Sequence, residues 1–246
     1  MPVFFLPPDA IVPPSITMPP SLQAHLRDSL RLELGEQILV CDGQGTRHLM
    51  ELTRVTKQEL AGRILSSSQE PPHTAPRLRL IQALLKGEKM DWVIQKATEL
   101  GVSEIVPLQS RHTIVQLRPE RLEAQLARWQ RIALEAAQQS EQWHVPAITR
   151  PQSVAECLAS GSASALSLIL TERRDGQSLN AMTLPAGGNE SVALMIGPEG
   201  GWSKEEVAQA EQSGHTLITL GPHILRAETA AIVAVGILQS RTGVLG

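Results

Sequence analysis

The sequence predicts an α/β protein: a parallel sheet with helices on both faces, preceded by a smaller β-rich unit. Three observations lead there. From Arg77 onward, apolar runs of strand length alternate with segments whose apolar residues recur at helical spacing. Residues 1–72 carry extended segments and turn chemistry. Two of the later apolar runs end in glycine-bearing turns that open helices, as expected where a parallel sheet gathers its loops outside the strand C-termini.

In the first unit, two extended segments within residues 36–55 flank Asp42-Gly43-Gln44-Gly45, a turn composition that predicts a hairpin. A third strand is expected near Arg63 to Ser66. The run Ser66-Ser67-Ser68-Gln69-Glu70-Pro71-Pro72 breaks the pattern and reads as a linker, which places the division at residues 1–72 and 73–246. Beyond it, Leu78 to Leu85 is a strand. Glu88 to Leu100 is a helix, because Met90, Val93, Ile94, Ala97 and Leu100 fall on one face and Gly101 stops it. Glu104 to Leu108 is a strand and Glu120 to Gln139 a long helix. Strands follow at Leu166 to Leu170, Ser191 to Ile196 and Thr216 to Leu220. Helices are expected at Ser203 to Ser213 and Arg226 to Gln239. Trp92, Trp129 and Trp143 read as core side chains.

Composition narrows the classes. With 42% hydrophobic and 19% charged residues the chain is of folded rather than disordered type. Cys41 and Cys157 stand alone and the histidines show no ligand spacing, which argues against a metal site and for a reducing compartment. The opening residues lack a basic start, and their apolar run is too short for a signal peptide. The most apolar stretch, Ala230 to Leu238, is too short to span a bilayer. The expectation is a cytoplasmic protein with no membrane partner. A net charge of −3 counts against nucleic acid. Its distribution says otherwise: residues 77–131 are net +4, leaving −7 elsewhere. Such a window can bind phosphate or be a solvated surface.

Two loops can carry chemistry. Val192 to Ile196 runs into Gly197-Pro198-Glu199-Gly200-Gly201-Trp202-Ser203, where Ser203 is an N-cap and Glu206 completes a capping box. Glycines permit close backbone approach to a ligand, although a tight turn without one fits equally well. The loop lacks both the P-loop Lys-Ser/Thr and Gly-x-Gly-x-x-Gly, so neither nucleotide site is supported. Leu220 to Ala230 also leaves an apolar strand and opens a helix, with Arg226 and Glu228 beside an apolar body; a capping and ion-pair role is the competing account. That helix is apolar almost all round, so it must be buried in a core or a subunit interface.

Four segments now stand in a recognisable order: Lys86-Gly87-Glu88-Lys89-Met90, Gln95-Lys96-x-x-Glu99-Leu100-Gly101, Ile196-Gly197-Pro198-Glu199-Gly200-Gly201 and Leu225-Arg226-x-Glu228-Thr229-Ala230. With His25-x-x-x-x-Leu30-Arg31 and Asp42-Gly43, the chain resembles the bacterial 16S ribosomal RNA uracil-N3 methyltransferases, the RsmE type of the SPOUT superfamily. The resemblance implies a PUA-like β-barrel over residues 1–72 that helps to hold RNA. It implies a trefoil-knotted domain over residues 73–246 that holds S-adenosylmethionine, and a homodimer. It also implies 16S ribosomal RNA of the small subunit as partner. Rival readings are a methyltransferase of this superfamily acting on another RNA base, and a non-catalytic ribosome-binding factor.

By position, the resemblance assigns the cofactor to three loops: Leu170, Thr171 and Glu172; then Ile196 and Gly197, Pro198, Glu199, Gly200 and Gly201; then Leu220, Gly221, Ile224, Leu225, Thr229 and Ala230. His25, Arg27, Arg31, Lys86, Lys89 and Lys96 are the RNA-contact candidates. Gln142 and His223 stand where many relatives carry basic residues. For the chemistry, Arg226 is the first choice: a guanidinium at a helix N-terminus can stabilise a uracil ring that has lost its N3 proton. Glu228 is expected either to accept that proton or to orient Arg226.

Overall fold

Eight strands of the later chain share one all-parallel sheet, and their order decides where the loops meet. The strands are β7 (Arg77–Ala83), β8 (Glu104–Gln109), β9 (Ala147–Ile148), β10 (Gln152–Ser153), β11 (Leu166–Leu170), β12 (Gln177–Ser178), β13 (Ser191–Ile196) and β14 (Thr216–Thr219). They run β10-β8-β7-β13-β11-β14-β12, with β9 also beside β8. The structure, a computed structural model, describes residues 3–20, 23, 32–56, 59–161, 164–172 and 176–245. The chain divides into two units, Met1–Pro71 with Ala137–Val145, and Pro72–Ala136 with Pro146–Gly246.

The helices of the later chain are α1 (Lys89–Glu99), α2 (Pro119–Gln139), α3 (Val154–Gly161), α4 (Lys204–Gln212) and α5 (Ala227–Arg241). Alternate residues of a strand point to opposite faces, so a strand buried throughout must be covered twice. In β7, Ile81 and Ala83 share a buried cluster with Val154, Cys157 and Leu158 of α3 and Ala210 of α4. Leu80 and Gln82 point the other way and are buried as completely. α5 packs on β7, β13 and α1. Its buried residues are Ala230, Ala231, Ala234, Val235, Leu238 and Gln239, of which the three alanines are small enough to let the helix lie close to its neighbours. Gln239 reaches from α5 to the end of α1: its Nε2 donates to the carbonyls of Leu100 (2.7 Å) and Gly101 (3.0 Å). Those carbonyls lie where helix α1 has no backbone donors left to offer.

The first unit is a curled mixed sheet. Its strands β1 (Val3–Phe5), β2 (Ile11–Val12), β3 (Ser15–Thr17), β4 (Gln37–Cys41), β5 (Thr46–Val55) and β6 (Leu60–Gln69) run β1-β4-β5-β6-β3-β2. β1 joins β4 in parallel, and the other pairs are antiparallel. The expected hairpin at Asp42 is present: the Asp42 carboxylate accepts from the Gln44 and Thr46 N–H groups at 2.7 and 2.9 Å. Two register shifts between β5 and β6 bend these long strands around Ile16, Ile38, Val40, Met50 and Leu52. Residues 137–145 belong with this unit. Trp143 lies 3.7 Å under the Arg47 guanidinium, and His144 approaches the Gly43 carbonyl (3.0 Å) and Glu70 (2.6 Å).

Three expectations need correction. Ser66 to Gln69 are not a linker but continue β6, paired with Leu49 to Thr46 of β5. Trp92 is not a core side chain: it is 41% exposed, whereas Trp129 is buried and donates to Asp91 at 3.1 Å. A cation–π contact with Arg47 engages Trp143, which is half-buried.

His215, between α4 and β14, is 4% exposed, and neither ring nitrogen has a partner among the described residues. Burial holds its pKa below the ordinary value, with the Ser213 and Ala210 backbones opposing in part. A base depressed in the folded state takes its proton first in the unfolded state, so stability is full above about pH 6.5 and is lost below it. His215→Leu should therefore flatten the fall of the urea midpoint between about pH 7.5 and about pH 5.5. Equal slopes in the two proteins would remove His215 from the pH response.

Candidate functional site

β13, β11 and β14 are adjacent and parallel, so the loops leaving their C-terminal ends emerge side by side. Together they close one cavity of about 910 Å³. Its wall is partly apolar, from Leu170, Ile196, Leu217, Leu225 and Ala230, and partly backbone of the Gly197–Gly201 turn. Volume and lining suit a nucleoside-sized ligand.

The loops are fastened to one another. The Trp202 indole N–H donates to the Leu170 carbonyl at 2.8 Å, joining the second loop to the first. The Thr171 N–H donates to the Ile218 carbonyl at 3.0 Å, joining the first to the strand before the third. Ser203 and Glu206 form the expected capping box. The Glu206 carboxylate also accepts from the Arg111 N–H at 2.8 Å, so a buried acid has its oxygens occupied.

The glycines make room for protein as well. A Cβ on Gly197 would stand 3.1 Å from the Trp202 ring, and one on Gly200 would stand 3.0 Å from the His112 Cβ. Gly201 has φ +68°, a conformation that favours glycine. His112 closes over this turn, its Nδ1 lying 3.2 Å from the Gly200 carbonyl and 3.1 Å from that of Gly201.

One ion cluster joins three sequence motifs at the cavity wall. The Lys89 ammonium lies 3.2 Å from Glu199 and 3.4 Å from Glu228. Glu199 accepts in addition from the Lys86 N–H at 3.3 Å. Burial alone would raise the Glu199 pKa, but its own backbone N–H, Lys89 and the Lys86 N–H together hold it below the usual range. For Lys89, the hydrogen bond to Glu199 is the main cause of a raised pKa. The Glu228 oxygen that Lys89 approaches, Oε2, is buried and makes no hydrogen bond of good geometry among the described residues.

The sequence-derived candidates fall into place unevenly. Leu170, Thr171, Glu172, Ile196, Gly197, Pro198, Glu199, Gly200 and Gly201 all line the cavity. So do Leu220, Gly221, Ile224, Leu225, Ala230 and Arg226, whereas Thr229 and Glu228 do not. The Arg226 guanidinium has no hydrogen-bond or ion-pair partner among the described residues. Glu228 is paired with Lys89, not with Arg226. Lys89 itself lines the cavity. Lys96 is tied to Glu99 at 2.8 Å, and Lys86 is exposed. His25, Arg27 and Arg31 lie outside the described residues. Sequence reading missed Trp202 and His112. Trp202 ends a turn whose Gly197 its ring crowds, which is a usable local signal; the His112 contact spans 88 residues and has none.

Three comparisons bear on this site. Residues 72–239 match the RNA methyltransferase domain family. The ribosomal RNA small subunit methyltransferase E of Bacillus subtilis is 30% identical over 90% of this chain and 88% of its own length. Two solved structures are similar over nearly the whole chain. A methyltransferase of Legionella pneumophila with bound cofactor SAM has TM-score 0.87 and 30% identity, covering 97% of each chain. A ribosomal RNA small subunit methyltransferase E of Neisseria gonorrhoeae bound to S-adenosyl methionine has TM-score 0.86 and 33% identity, covering 98% of each.

The Lys89 cluster is testable by a double-mutant cycle. Lys89→Met leaves two carboxylates facing one another and should lower the urea midpoint; adding Glu228→Gln should recover part of the loss. Strictly additive effects would mean that the two side chains are not coupled.

Proposed function

The chain belongs to the RNA methyltransferase family, among the ribosomal RNA small subunit methyltransferase E proteins, and on that premise we propose that it moves a methyl group from S-adenosylmethionine to N3 of a uridine in 16S ribosomal RNA. One observation carries the reading: three adjacent strand-end loops enclose a nucleoside-sized cavity whose wall holds an unpaired arginine. The cavity fits the cofactor on its own features, because apolar side chains offer a surface for a purine and the glycine turn offers backbone groups. S-adenosylmethionine supplies an activated methyl group on a sulfonium.

The chain's own residues supply the rest. Uracil N3 bears a proton and is a poor nucleophile until it leaves. Arg226, aimed at a ring carbonyl oxygen, favours the deprotonated ring and so exposes the N3 lone pair. Glu228 is committed through Oε2 to the Lys89 ammonium and does not line the cavity, so it is assigned to fixing the wall, and the N3 proton is assigned to solvent at the cavity mouth. The enclosing loops keep the ring in line with the transferred group, and positioning of this kind can lower a barrier by several kcal/mol.

The fold reading extends further. Residues 1–72 are assigned as a PUA-like barrel that helps hold RNA, with His25, Arg27, Arg31 and Lys86 as contacts. Residues 73–246 are assigned as the trefoil-knotted methyltransferase domain. Its strand order, with β13 and β14 on either side of β11, supports that assignment. A homodimer through α5 is supported by Val233, 39% exposed on a helix otherwise almost wholly apolar. The assigned compartment is the cytoplasm, and no helix among the described residues is long and apolar enough to cross a membrane.

Incubation with small ribosomal subunits and methyl-labelled S-adenosylmethionine, followed by nucleoside analysis, should yield 3-methyluridine. Label in another nucleoside would reassign the base, and absence of cofactor binding by calorimetry would leave a non-catalytic ribosome-binding factor. Arg226→Ala should keep cofactor affinity and cut single-turnover methylation by about 10²-fold or more, with partial recovery at higher pH. A wild-type rate in that variant would refute the assignment of Arg226.

A further inference from the structure

The basic window at residues 77–131 looks uniform in the sequence, but the structure sorts it. Six of its ten cations have carboxylate partners: Arg79 with Glu104, Lys89 with Glu199 and Glu228, Lys96 with Glu99, Arg111 with Glu205, Arg128 with Asp91, and Arg131 with Glu135. An arginine or lysine committed to a carboxylate must give up that partner to bind a phosphate. Among the described residues, Arg77, Lys86, Arg118 and Arg121 have no side-chain partner. Two of these four, Arg118 and Arg121, lie three residues apart on one short segment, both exposed, with the Arg121 N–H donating to the Arg118 carbonyl at 2.9 Å.

That segment starts against the Gly197–Gly201 turn that lines the cavity. The Ser110 and Thr113 hydroxyls, 2.8 Å apart, close a turn. Arg111 is bound at its N–H by Glu206 and at its guanidinium by Glu205, 3.0 Å away. His112 rests on the Gly200 and Gly201 carbonyls. The root of the segment is thus fixed to the turn that lines the cavity. Beyond it, Ile114 is 66% exposed, between a buried Thr113 and a half-buried Val115.

We propose that residues 111–121 form an RNA-binding lip of the cavity, in which Arg118 and Arg121 take backbone phosphates and Ile114 faces a base lifted from its stack. This rests on the reading of the cavity as a site for RNA methylation. The chemistry is complementary. Unpaired guanidiniums bind phosphate oxygens bidentately, and a ring that is to enter a cavity must first be unstacked, leaving a space that an apolar wedge can occupy. Because the root is pinned to the glycine turn, strand and cavity would be held in fixed register.

The test measures binding of a 16S ribosomal RNA fragment across a salt series, beside calorimetry with S-adenosylmethionine. Arg118→Gln/Arg121→Gln should bind RNA at least about ten-fold more weakly, and the slope of log affinity against log salt should become shallower by about 1.5, the loss of two phosphate contacts. Cofactor affinity should not change. Arg131→Gln, which removes a cation already paired with Glu135, should bind RNA like wild type. Ile114→Ser should retain affinity but lose single-turnover rate. Wild-type affinity and slope in the double arginine variant would overturn the lip and leave the methyltransferase reading intact. Failure of the wild-type protein itself to bind or methylate the RNA would overturn both.

Discussion

Lys89 held between Glu199 and Glu228 is the interaction on which the site depends. It joins the start of α1, the turn after β13 and the first turn of α5, residues 110 and 139 positions away from Lys89 in sequence. The turn after β13 belongs to neither a strand nor a helix, and the ion cluster fastens it to the first turns of two helices. The cluster has two negative charges and one positive. It therefore offers no net attraction to phosphate, and Lys89 is better suited to shaping the cavity wall than to gripping RNA. Arg226 and Lys204 are the cavity-lining cations with no hydrogen bond or ion pair among the described residues, and Arg226, at the N-cap of α5, adds the helix dipole to its own charge.

The sheet explains why those loops are near one another. In a parallel sheet all strand C-termini share one edge, and side-by-side strands deliver their loops to one place. β11, β13 and β14 are neighbours although the chain visits β12 between the first two. Trp202 and Thr171 then lock loop to loop with single hydrogen bonds, and the capping box of α4 sets the direction in which the chain leaves the glycine turn.

Much of this architecture was legible in the sequence. β11 and β13 have the expected bounds, and β7, β8 and β14 start or stop within about two residues of them. β11 and β13 are buried through their centres and read as nearly continuous apolar runs, whereas β7 opens with alternating Arg and Leu and β14 is mostly half-buried, so those two are read from the turns that flank them. The two-residue strands β9, β10 and β12 were not legible, because two residues carry no period. α3 was missed as well; its Val154, Cys157 and Leu158 fall at helical spacing, but the helix is short and sits among Ser and Gly. At the site, the loops could be recognised because strand, turn and helix start are local signals. The partner of Glu228 could not, since nothing near Glu228 in sequence indicates Lys89. Charge counting likewise could not separate Arg118 from Lys96, because a partner three residues away on the same helix neutralises only one of them.

The place of α5 in the chain has a consequence for synthesis. This helix covers β7, β13 and α1, yet it is translated after all of them. While the nascent chain grows, the faces of β7 and α1 that α5 will bury have no cover, and the Leu100 and Gly101 carbonyls lack the Gln239 amide that later caps them. The earliest strands of the sheet can pair with each other but cannot be sealed. Commitment to the native state is delayed until the helix has cleared the exit tunnel, and through that interval the nascent domain is at its most exposed to aggregation and to chaperones.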